Sequence, residues 1–95
     1  MKTDVIFRRF KQGRDVIALF PAIAGDSSPD TCQSYQHVGQ HGAASVRLMR
    51  DTVPAYLTEP DTYALKKELE GIGYDLNPVE RFTARHLTAR LAQIR

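Results

Sequence analysis

Two stretches near the N-terminus, Val5-Ile6-Phe7-Arg8-Arg9-Phe10 and Val16-Ile17-Ala18-Leu19-Phe20, are rich in β-branched and aromatic residues. Lys11-Gln12-Gly13-Arg14-Asp15 between them holds the glycine that a tight turn requires, so the pattern predicts an N-terminal β-hairpin. Pro21 cannot extend a ladder, and Gly25, Ser27, Ser28 and Pro29 turn residues 22 to 30 into a loop. Thr31 to Val38 then predicts a third strand, with Cys32, Ser34, Gln36 and Val38 on one face and Gln33, Tyr35 and His37 on the other. Neither face is apolar, which directs the glutamines toward water, a partner or one another. Gly39 and Gly42 bracket Gln40-His41 and predict a loop there.

Beyond the loop the period lengthens. Ala43 to Arg50 predicts a short helical turn with Val46 and Met49 inward, ended by Thr52-Val53-Pro54. Thr58-Glu59-Pro60-Asp61 is a helix start, with Thr58 as N-cap, proline in the first turn and acids at the positive end of the helix dipole. Leu65, Leu69 and Ile72 continue as an i, i+4, i+7 stripe, which predicts a helix from about 59 to 70 with Gly71 and Gly73 available as caps. Tyr74 into Arg81 predicts a strand at a sheet edge, where Pro78 is tolerated. A C-terminal helix follows from about Ala84, capped by Thr83, with Leu87, Leu91 and Ile94 on one face.

Together these elements predict a single α+β domain spanning residues 1 to 95. It has an antiparallel sheet of three or four strands, one central helix packed on it and a basic C-terminal helix. Ninety-five residues, 42% of them hydrophobic and 25% charged, is the composition of an ordinary globular chain. The chain enters strand sequence directly after Met1, with no apolar segment of signal or spanning length, so the expected setting is the cytoplasm, with no membrane partner. A lone cysteine agrees with a reducing compartment.

Charge is segregated beneath the net +2. The first fourteen residues set Lys2, Arg8, Arg9, Lys11 and Arg14 against Asp4, and residues 78 to 95 set four arginines against Glu80. The intervening segment is acidic. If the hairpin and the last helix lie side by side, Arg8, Arg9, Lys11 and Arg85 would form a patch for nucleic acid. Phe7, Phe10 and Tyr35 would then be available for stacking.

The chemistry concentrates in Thr31 to Gly42, which holds Cys32, His37, His41 and three glutamines. Three uses are open to it. Zinc could take His37 and His41, with Cys32 and either His86 or Asp30, but no second Cys or His pair completes a tetrahedral set, so no cofactor is assigned. An enzyme could pair Cys32 with His37 or His41, or use the two histidines as acid and base in phosphoester chemistry, although an idealised strand sends Cys32 and His37 to opposite faces. A binding surface uses Tyr35 as contact aromatic, Gln36, His37, Gln40 and His41 as hydrogen-bonding edges and Gly39 as a point of close approach. This third use accounts best for the polarity of the segment.

The Val-Ile-Phe-Arg strand, the Val16-Ile17-Ala18-Leu19-Phe20-Pro21 segment, Ser34-Tyr35-Gln36-His37-Val38-Gly39-Gln40-His41-Gly42-Ala43-Ala44 and Leu69-Glu70-Gly71-Ile72-Gly73-Tyr74-Asp75-Leu76 occur in that order. In this the chain resembles a group of small uncharacterised bacterial proteins, also associated with phages and plasmids, whose most specific part is Tyr-x-His-Val-Gly-Gln-His. The resemblance covers roughly residues 1 to 81 and implies a bacterial, cytosolic setting. The expected function is non-enzymatic binding of a protein partner or small polar ligand through Tyr35 to His41, with a homodimer through an exposed sheet edge as one expected assembly.

Overall fold

The hairpin predicted at the N-terminus forms the centre of the sheet. The computed structural model of the chain describes residues 2–37 and 40–94, Gln40 by its backbone alone. β1 (Thr3–Phe10) and β2 (Val16–Ala24) pair antiparallel, with Ile6 opposite Leu19 and Phe7 opposite Ala18. Gly13 at φ 81° and Arg14 at φ 65° make the turn, so the glycine is required where it stands. Both faces of the hairpin are buried. Val5, Phe7, Ala18 and Phe20 enter one core and Ile6, Ile17 and Leu19 the other, which is why these stretches read as nearly continuous apolar runs.

The sheet is larger than the three or four strands expected. β3 (Thr31–Gln36) pairs with β2, and β4 (Gln40–Ser45) pairs with β3 over six registered positions. On the other side of β1 lie β5 (Thr52–Pro54), antiparallel, and β6 (Leu76–Pro78), parallel. Six strands thus follow the order β4-β3-β2-β1-β5, with β6 on the remaining length of β1. The loop expected around Gly42 is the strand β4, and the helical turn expected from Ala43 is a 3-10 turn over Val46–Arg50. In that turn Leu48 and Met49 pack on the second core and Val46 is half-buried. The strand expected from Tyr74 into Arg81 contracts to β6, still at the edge and still containing Pro78.

One helix covers each face. α1 (Pro60–Gly71) buries Leu65 and Leu69 against the first core, while Ile72, expected to complete the stripe, is 54% exposed. Its N-cap is Glu59, not Thr58, and the Glu59 side chain accepts from the Tyr56 N–H at 2.8 Å. α2 (Ala84–Gln93) starts at Thr83 as predicted, in a capping box with His86. The buried residues of α2 are His86 and Arg90, not Leu87, which is 40% exposed. Arg90 donates to the carbonyls of Pro21 at 2.6 Å and Pro29 at 3.2 Å, and Gln93 bonds both Ala22 and Ala24. Its guanidinium also lies 5.4 Å from the centre of the Phe82 ring. His86 accepts the Thr83 N–H on Nδ1 and donates from Nε2 to Asp4 at 2.8 Å. Helix α2 therefore docks by satisfying backbone carbonyls and one carboxylate.

A single buried hydroxyl stands out on α1. Thr62 is fully buried, and its Oγ1 has no hydrogen-bond partner among the described residues. Such a group contributes its desolvation penalty without a compensating bond. Thr62→Val, which keeps the shape, is expected to raise stability by about 1 kcal/mol in a urea titration. A loss of stability would mean the hydroxyl is bonded in solution.

Candidate functional site

The pairing of β3 with β4 brings the predicted cluster together. Tyr35 stands opposite His41 across the two strands, on the α1 face, with ring centres 4.7 Å apart in an edge-on arrangement. Glu68 projects from α1 beside Leu69 and accepts from the Tyr35 hydroxyl on one carboxylate oxygen and from His37 Nδ1 at 2.7 Å on the other. Tyr74 follows α1 directly, stacks on Phe20 at 4.9 Å and meets His41 Nε2 through its hydroxyl at 3.1 Å. The hairpin is thus fastened to α1 and its exit by two polar links.

These links fix the roles of the predicted residues. Tyr35 is only 2% exposed, so it supports the site from beneath and offers no face for stacking. The His37 side chain is 80% exposed; with Nδ1 held by Glu68, Nε2 is the ring nitrogen available for a further hydrogen bond. Gln36 and His37 border a cleft of about 540 Å3 between the strands and α1. Val16, Ala64 and Leu65 also line it, together with the carboxylates Asp15 and Asp61. Gly39 and the side chain of Gln40, both predicted contacts, lie outside the described residues. Glu68 and Tyr74 were not predicted. The available signals were an acid bordering the Leu65–Leu69 stripe and a tyrosine just past the helix-ending glycine.

Cys32 is on the other face, fully buried beside Leu19 and Ala44. Burial pushes its thiol up to about 11, the reverse of what a nucleophile requires. The Cys32–histidine pairing is therefore not formed. Among the described residues no three His, Cys, Asp or Glu side chains converge to hold a metal ion, and His86 is committed to Asp4 and Thr83.

The predicted basic contacts are largely spent on the fold. Arg8 donates to the Thr52 hydroxyl and to the carbonyls of Met49 and Thr52, holding β5 and the 3-10 turn to β1. Arg9, 7% exposed, forms a two-pronged pair with Asp61 at 2.6 and 2.7 Å and also bonds the Arg14 carbonyl. That pair holds the Asp61 carboxyl below the usual carboxylate range. Lys11 bonds the Arg50 carbonyl. Arg85 is exposed near Asp4, at the opposite end of β1 from Lys11, about 23 Å away at the strand's rise per residue. Lys11 and Arg85 therefore do not meet, while Arg81 of the C-terminal segment lines a cleft together with the engaged Arg8.

No protein-family model, curated protein or solved structure matches this chain.

Proposed function

We propose that the chain is a non-enzymatic binding protein whose ligand sits in the cleft beside Gln36 and His37. The supporting observation is the character of that cleft. Its volume of about 540 Å3 falls in the range of small-molecule sites. Val16, Ala64 and Leu65 give it apolar lining, and Asp15, Gln36 and His37 supply acceptors beside them; the Asp61 carboxylate, also in the lining, is already held at both oxygens by Arg9. Such a lining suits a small polar ligand that donates hydrogen bonds, an amine, amide or polyol. A donor-rich loop of a partner protein would present the same chemistry. The bacterial, cytosolic setting belongs to this proposal; among the described residues no helix is long and apolar enough to cross a membrane.

The nucleic-acid reading draws less support, because Arg8 and Arg9 are engaged and Lys11 and Arg85 stand at opposite ends of β1. The test is a titration of the 15N-labelled protein with small amines and polyols, with small carboxylates as control. Expected are amide shifts confined to Gln36, His37, Ala64 and Leu65, given by the donors alone. His37→Ala should weaken binding about tenfold, the worth of one hydrogen bond. Shifts elsewhere, or equal response to carboxylates, would overturn the assignment.

A further inference from the structure

The two edges of the sheet are finished differently. The outer side of β1 is covered by β5 and β6, which together pair Thr3 to Val5 and Arg8 to Phe10. β4 pairs with β3 and, among the described residues, with nothing on its other side. Natural edge strands are ordinarily guarded by charge, proline, a bulge or a covering element. β4 has none of these: Gln40-His41-Gly42-Ala43-Ala44-Ser45 contains no charge and no proline, and its register with β3 runs unbroken from Gln40 to Ser45.

The register also says which backbone groups are free. The Val46 N–H bonds the Asp30 carbonyl, so the Ser45–Thr31 pair flanking it is of the non-hydrogen-bonded kind. By alternation Gln40, Gly42 and Ala44 bond inward to β3, and the N–H and C=O groups of His41, Ala43 and Ser45 point away from the sheet.

We infer that β4 is a homodimer interface, in which two copies pair antiparallel about a two-fold axis at Ala43. This step is independent of the cleft ligand. A two-fold axis normal to a sheet must pass through a residue facing its own copy, and only outward residues can make the hydrogen-bonded pairs. Ala43 then faces its own copy and His41 faces Ser45 of the second copy, giving six backbone hydrogen bonds. Gly42 faces Ala44, where the absence of bulk lets the strands close. A Cβ at Gly42 would meet nothing within 4 Å, so the space beside it is open. A second copy is favoured over an unrelated peptide, because the outward groups of His41, Ala43 and Ser45 match their own copy about Ala43, and the small residues Gly42, Ala43 and Ala44 give an incoming peptide little to read by side chain. The joined sheet would have twelve strands, with both β1 edges outermost and covered.

A contact of one short strand is smaller than a standard interface, so the dimer is expected to be weak and is sought by sedimentation velocity over about 10 µM to 1 mM. The diagnostic variant is Ala43→Pro, which removes an N–H directed away from β3 and leaves the monomer's own ladder intact. Ala43→Lys is the second, should proline disturb folding. The expected result is a concentration-dependent dimer for the natural chain, with slowed amide exchange at His41, Ala43 and Ser45, and monomers for the variants. A natural chain that stays monomeric over the whole range, or a dimer that persists in both variants, overturns the inference. So does a monomer whose β4 amides gain protection only from an added extended peptide.

Discussion

Replacing Arg90 with alanine is expected to cost the fold about 3 kcal/mol, a fall in Tm of about 12 °C or more for a domain of this length. Arg90 is 4% exposed and spends its guanidinium on the carbonyls of Pro21 and Pro29, with no carboxylate partner among its hydrogen bonds. Removing it strands the buried Pro21 carbonyl, releases the partly buried Pro29 carbonyl and opens space against Phe82. An unsatisfied buried acceptor alone is worth about 1–3 kcal/mol. Arg90→Lys should restore little, since a point cation cannot span two carbonyls as the planar fork does. The measurement is a urea titration of the three chains. A loss under 1 kcal/mol for the alanine variant would show that α2 is not held to the sheet by this residue.

The same residue shows why α2 was only half legible. Its start was readable because Thr83 and His86 form a local capping box. Its buried face was not, since a stripe of Leu87, Leu91 and Ile94 ordinarily outranks His86 and Arg90 for the core. The distant Asp4 and the carbonyls of Pro21 and Pro29 offset the cost of burying those two polar residues, and neither is visible from the helix's own sequence. The central hairpin and α1 were legible for the converse reason, because apolar runs, turn glycine and stripe agree within each segment. β4 was missed because, among its described side chains, it directs only the small Ala44 into a core and is held by pairing.

The site divides along the same line. Tyr35, Gln36, His37 and His41 are close in sequence and chemically conspicuous, and three of them meet in the structure as one cluster with residues from elsewhere. Their partners Glu68 and Tyr74 lie 31 to 33 positions away and are brought in by α1 packing over the first core. The engagement of Arg8 and Arg9 was not legible, because a strand arginine looks the same in sequence whether it faces solvent or acceptors on another element. Asp61, the partner of Arg9, is 52 positions distant.

The second large effect is expected from one methyl group. In Gly25→Ala the new Cβ would lie 2.6 Å from the Cys32 carbonyl oxygen, 2.8 Å from its carbon and 3.0 Å from the Ala43 Cβ. Two of those atoms are backbone in the middle of the sheet, where Cys32 pairs with Ala24 on one side and Ala44 on the other. They cannot recede without breaking a register, so the strain falls on the whole β2-β3-β4 corner and costs about 3 kcal/mol. Gly42→Ala is the matched control, because its Cβ meets nothing within 4 Å, and its effect should stay within about 0.5 kcal/mol. Arg90 grips the segment from Pro21 to Pro29 through its carbonyls, and Gly25 lets that same segment lie against β3. Both variants should therefore loosen the strand that carries Tyr35, and amide shifts in Gly25→Ala should extend from Cys32 to His41. Equal stability of Gly25→Ala and the natural chain would mean that the end of β2 does not lie against Cys32, and would remove this corner as the support of the site.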